Sequence, residues 1–129
     1  MSGIFYVMNW QGMNKRKFPR ANYRCLLRVK RENREEAIET HTENIGVGGI
    51  CVIIKTEFDL FSKVSLEIIL DQDKDPIFCE GKIVWVVKKR PVVDSGEYEY
   101  DIGIEFLNMS DMDNHKIDEV VEKILGGQA

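Results

Sequence analysis

Apolar residues recur at every second position in short segments along most of this chain, and that period fixes the fold class before any motif is weighed. From Ala21 to Lys30, Tyr23, Cys25, Leu27 and Val29 alternate with Arg24, Leu26, Arg28 and Lys30. Ile38, Thr40 and Thr42 carry the alternation into Asn44, and "GICVIIK" resumes an extended run after the glycines. "KVSLEIIL" places Val64, Leu66, Ile68 and Leu70 on one face, followed by the long "IFCEGKIVWVVKK" and then "YEYDIGIEFL". The polar stretches "RENREEA", "TEFDLFS", "DQDKDP" and "RPVVDSGE" connect them. Six strands at regular spacing, with no helical pattern between them, predict a mainly β protein built as an antiparallel barrel or sandwich. Gly81, inside the long fifth run, predicts a bulge or bend there.

After Leu107 the period changes. Ser110 followed by Asp113 has the spacing of an N-cap with an acidic N3 residue. Ile117, Val120, Val121, Ile124 and Leu125 then fall on one helical face, and Gly126 and Gly127 are expected to stop the helix. A C-terminal α-helix with one apolar face should close an end or side of the barrel. The length of 129 residues suits one domain. Residues 1–14, "MSGIFYVMNWQGMN", show no sustained period and are expected to be an extension, with the domain spanning 15–127.

No stretch approaches the roughly 20 apolar residues of a membrane helix, which predicts a soluble, cytoplasmic protein with no membrane insertion. Cys25, Cys51 and Cys79 lie in apolar runs without metal-type spacing and are expected to be reduced, buried thiols. His41 and His115 have no companion ligands nearby in sequence, so no metal site is expected. The acids are scattered through turns and wet strand faces, with no nucleophile and base suitably set, which argues against an enzyme.

The net charge of −4 conceals an asymmetry. Between Lys15 and Arg34 there are nine basic residues against one acid, a net +8, which leaves −12 for the rest. A general DNA or RNA binder would spread its cations over a broad face, and a single-strand binder would line a basic groove with aromatics. One concentrated basic arm instead suggests a local anion site. Two motifs give it substance: "KRKFPR", with Arg16 and Arg20 just ahead of the first strand, and "NIGVGG", Asn44 to Gly49, between the second and third. A guanidinium can hold a phosphate bidentately or pair with the O6 and N7 edge of guanine. Asn44 can bond a base edge, and Gly46 and Gly49 let backbone N–H groups approach a ligand without a Cβ in the way. Three glycines are more than a turn between strands needs, so something is expected to come close to this backbone.

An Arg-x-x-x-Arg ahead of a barrel, followed by an [Asp/Asn]-x-Ser-x-x-Gly motif between strands two and three, is the pattern of PilZ domains. "RKFPR" matches the first motif, and "NIGVGG" matches the second at Asn44 and Gly49 with Gly46 in place of Ser. "GKIVWV" and "YDIGIEF" resemble the family's closing strands, so the resemblance runs from about residue 15 to 125. It implies a six-stranded antiparallel PilZ-like β-barrel with a C-terminal α-helix, and a bacterial receptor for cyclic di-GMP. Arg16 and Arg20 would then hold phosphates and guanine edges with Lys15 adding charge. Asn44, Gly46 and Gly49 would line the base pocket, and Trp85 would lie against a guanine. No cofactor is implied; the partners are cyclic di-GMP and an unidentified protein that reads the bound state. The alternative is a degenerate PilZ-like docking module that no longer binds nucleotide, which Gly46 favours and the two arginines oppose.

Overall fold

The computed structural model describes residues 20–89 and 97–127. The extension expected over 1–14, the arm residues Lys15 and Arg16, and most of the loop beginning at residue 90 lie outside them. The strands are β1 (Arg20–Ala21), β2 (Leu26–Arg31), β3 (Ala37–Gly46), β4 (Gly49–Ile54), β5 (Lys63–Ile69), β6 (Ile77–Lys89) and β7 (Glu99–Leu107), followed by helix α1 (Asp111–Gly127). In the sheet they stand in the order β1-β3-β2-β5-β6-β7-β4, and a further pairing of β3 with β4 closes β2 to β7 into a six-stranded barrel. All pairings are antiparallel.

Alternation did its expected work. Leu27, Val29, Ile45, Ile50, Val52, Ile68 and Ile102 are fully buried, and together with Ile83, Ile104 and Ile77 they fill the barrel. Side chains of this bulk leave a small barrel packed rather than hollow, so a ligand has to use its outer wall or its rim. Helix α1 packs against β3 and β1, burying Ile117 and Val121 completely. Its N-terminus is capped as the sequence suggests, with the Asp113 N–H donating to Ser110 Oγ at 3.1 Å. The two glycines lie inside its last turn rather than beyond it.

Two local expectations are corrected. The single strand expected from Ala21 to Lys30 is broken into β1 and β2, because the chain takes five steps from Ala21 to Leu26 where their β3 partners, Ile45 and His41, are four apart, so one extra residue throws the pairing out of step. Thr42, fully buried, bridges the break. Its hydroxyl donates to the Tyr23 carbonyl at 2.6 Å and accepts the Cys25 N–H at 3.0 Å, while its own N–H donates to the Cys25 carbonyl at 3.0 Å. Gly81, in turn, is no bulge: it pairs regularly with Val64 and Phe106. Its side chain is absent because a Cβ there would lie 2.6 Å from Ile104 Cγ2 and 3.0 Å from Leu66 Cδ1. The irregularity in β6 comes later, between Ile83 and Trp85.

Candidate functional site

The β6 bulge decides where Trp85 points. Up to Ile83 the odd-numbered residues of β6 face the core, with Ile77, Gly81 and Ile83 buried. One extra residue inverts the parity, so Val86 pairs with the buried Ile102 while Trp85 pairs with Gly103 on the outside. A Cβ on Gly103 would sit 2.8, 3.0 and 3.1 Å from Trp85 Cδ2, Cε2 and Cε3. The indole therefore lies down over the Gly103 backbone.

The register extends this contact into a row across the outer wall. Gly103 pairs with Cys51 of β4, and Cys51 pairs with Asn44 of β3. Asn44 Oδ1 accepts a hydrogen bond from Arg20 Nε at 2.9 Å. Arg20 is carried there by β1, whose two residues pair with Gly46 and Ile45. Thus Arg20, Asn44, Cys51, Gly103 and Trp85 occupy neighbouring positions on one face, although they are spread over 84 residues of sequence. Burial lowers the Arg20 pKa, with Cys51 nearby opposing the effect; an arginine nonetheless keeps its charge at any physiological pH.

Beside Asn44 the chain reverses at Val47–Gly48 and enters β4 at Gly49. The glycines there have an intramolecular use. A Cβ on Gly49 would collide with the Ile104 carbonyl oxygen of β7, and the Gly48 carbonyl accepts the Phe106 N–H at 3.0 Å. At Gly49 the close approach expected from the sequence is made by β7.

Around Cys51 the face becomes polar. Its thiol donates to Asp101 Oδ1 at 3.1 Å, and Asp101 Oδ2 lies 3.5 Å from Lys89 Nζ. Burial, with Asp101 adding to it, pushes the Cys51 pKa far up, so the group remains a thiol. Cys25 and Cys79 are free as well, and desolvation pushes the Cys79 pKa up to about 12. No His/Cys/Asp/Glu cluster suited to a metal ion occurs among the described residues, and no helix among them is long and apolar enough to cross a membrane.

Of the residues expected at the site, the structure brings together Arg20, Asn44, Gly46, Gly49 and Trp85, while Lys15 and Arg16 fall outside the described part. Among the described basic residues, Arg28, Arg31 and Arg34 lie elsewhere. Arg28 bonds Glu39 at 3.0 Å and Glu67 at 3.2 Å, and Arg31 packs over Phe58 at 5.4 Å. Arg31, Arg34 and Lys63 line a cleft of about 460 Å³ in which Glu32, Glu57 and Asp59 offset their charge. The described part of the +8 segment is therefore divided between the outer row that holds Arg20 and contacts elsewhere on the barrel. Sequence reasoning missed Gly103, Cys51 and Asp101. A glycine within the alternating "YDIGIEF" is the one available signal, since an interior strand glycine marks a close approach; Cys51 among apolar neighbours gave none.

Comparison with known proteins follows the same outline. The barrel superposes on MotI/DgrA, the Bacillus subtilis inhibitor of motility, with a TM-score of 0.71 and 18% identity over 87% of this chain and 52% of that one. It superposes on the PilZ domain with c-di-GMP of YcgR from Escherichia coli with a TM-score of 0.68 and 11% identity, over 88% of this chain and 94% of that one. For the MrkH–c-di-GMP complex of K. pneumonia the TM-score is 0.68 and the identity 20%, over 87% of this chain and 53% of that one. The chain thus spans about half the length of MotI and MrkH. A search of curated proteins gave no match. The PilZ domain model matches residues 14–123, which takes in every strand and most of the helix, and on that match the chain belongs to the PilZ domain family.

Proposed function

We propose that this PilZ domain is a cyclic di-GMP receptor of the bacterial cytoplasm. It binds the dinucleotide on the outer face bearing Arg20, Asn44 and Trp85, and it signals through a partner protein. The observation that carries the reading is the Arg20 guanidinium, held by Asn44 Oδ1 at 2.9 Å and anchored beside Gly46. Its orientation is set before a ligand arrives, which reduces the ordering cost of binding. A docking module without a ligand gives no reason to hold an arginine so. The YcgR and MrkH structures with c-di-GMP show the same barrel in proteins that bind this molecule.

The roles follow from chemistry. Arg20 donates to a phosphate or to the O6 and N7 edge of a guanine. Arg16 supplies the second guanidinium of the Arg-x-x-x-Arg arm, and Lys15 adds charge beside it. Trp85 offers an aromatic surface for a base, an interaction worth about 1–3 kcal/mol per base. Gly46 and Gly49 keep the turn beside Asn44 low. Lys15, Arg16 and Lys17 concentrate positive charge just ahead of the seated Arg20, and a dianionic ligand neutralises that charge and changes the surface around it. The altered surface is what the partner reads; the domain acts as a receptor rather than as an enzyme.

Isothermal titration calorimetry of the full chain tests this reading. Saturable heat with cyclic di-GMP, absent with GTP and cyclic di-AMP, is expected, and no heat at high micromolar cyclic di-GMP would overturn it. Gly46→Ser is expected to tighten binding by up to about tenfold, since one added hydroxyl hydrogen bond contributes about 0.5–1.5 kcal/mol. Weaker binding by this variant in the same titration would assign Gly46 a backbone role instead.

A further inference from the structure

The outer face has an acceptor as well as donors. Asp101 lies on β7 two residues from Gly103, so its side chain shares the outward face of Gly103 and Trp85. It is about three-quarters buried, at 24% exposure. Cys51 holds one carboxylate oxygen at 3.1 Å and Lys89 approaches the other at 3.5 Å. An ionised carboxylate has about four lone-pair sites, so these two contacts fix the group without using up its capacity. Lys89 also offsets its charge, which would otherwise repel phosphates.

Arg20 and Asn44 flank Cys51 on its other side. Strands β3 and β7 are separated by β4 alone, two inter-strand spacings or about 10 Å. That width takes one purine with a hydrogen bond at each flank. Donors lie on one side and an acceptor-only group on the other, with the Trp85 indole beside them.

Guanine matches this polarity: O6 and N7 accept, whereas N1–H and the N2 amine donate from a neighbouring edge. Adenine opposes it twice, presenting an amine where Arg20 donates and an unprotonated N1 where a carboxylate would stand. We infer that Asp101 determines specificity at this face, accepting hydrogen bonds from the N1–H and N2 amine of one guanine while Arg20 addresses its O6/N7 edge. The inference rests on the receptor reading above and adds to it the group that selects the base. The Cys51 thiol, kept protonated by its surroundings, acts as a positioning residue that aims the carboxylate.

The test compares cyclic di-GMP with cyclic di-IMP, which lacks only the N2 amines, by titration of the full chain. The wild type is expected to prefer cyclic di-GMP by about tenfold or more, the loss when a charged acceptor keeps N1–H but loses its N2 donor. Asp101→Asn retains shape and an oxygen for Cys51, and it is expected to bring that preference to within about threefold while thermal unfolding is unchanged. A merely structural Asp101 would weaken both ligands equally and leave the ratio intact, and that result overturns the inference. Equal affinities in the wild type overturn it without recourse to a variant. A wild type that binds neither nucleotide contradicts the receptor reading itself, and this inference falls with it.

Discussion

Replacing Arg16 and Arg20 together with Ala is expected to weaken cyclic di-GMP binding by about two to four orders of magnitude. The estimate follows from two sets of charge-assisted hydrogen bonds at roughly 1.5–3 kcal/mol each. The barrel should survive. Arg20 belongs to a two-residue strand at the rim, and its bond to Asn44 lies outside the apolar core. Arg24→Ala is the control, because Arg24 is exposed, lies in the same basic segment and is in the break between β1 and β2. It removes equal charge from the segment but should change affinity by no more than about twofold, since exposed charges in high dielectric interact weakly. A double variant that binds as the wild type does would dissolve the site assignment. Equal losses from Arg24→Ala would replace a site with a general field.

The second large effect concerns the turn. Gly49→Ala places a methyl group against the Ile104 carbonyl oxygen, and a backbone atom in a paired strand cannot rotate out of its way. Strands β4 and β7 must part locally, at a cost of about 3 kcal/mol by the range for overpacking. For a domain of this size that lowers the melting temperature by roughly 10 °C, readable by circular dichroism. Because the β4–β7 register aligns Cys51 with Gly103, ligand affinity should fall with it. Gly126→Ala supplies the contrast: nothing lies within 4 Å of a Cβ there, and the helical position gains up to about 1 kcal/mol. An unchanged melting temperature for Gly49→Ala would show that the β4–β7 approach is looser than described.

Strands β2 to β7 and the capped helix were legible because period two and period 3.6 are local properties, written within each segment. The site was legible only as far as motifs carry residue type. Arg20 and Asn44 stand out in sequence, and the structure joins them by a hydrogen bond. Gly103, Cys51 and Asp101 enter through cross-strand register, which is set by bulges that no single segment announces. One such bulge follows Ile83 and turns Trp85 outward; another follows Thr42 and sets Asn44 opposite Cys51. Gly81 shows the converse error, since a glycine reads alike in sequence whether it permits a bend or makes room for Ile104 and Leu66. Charge misled for a similar reason: Arg28 and Arg31 follow the arm in sequence, yet they are engaged by Glu39, Glu67 and Phe58.

In the proposed complex the ligand occupies the outer row rather than the barrel interior or the polar cleft lined by Arg31, Arg34 and Lys63. Amide and indole NMR shifts of the full chain during titration with cyclic di-GMP test it most directly. The largest shifts are expected at Arg20, Asn44, Gly46, Gly49 and Gly103, and at the Trp85 indole N–H. Shifts centred on Arg31, Asn33, Arg34 and Lys63, with that row unmoved, would contradict it.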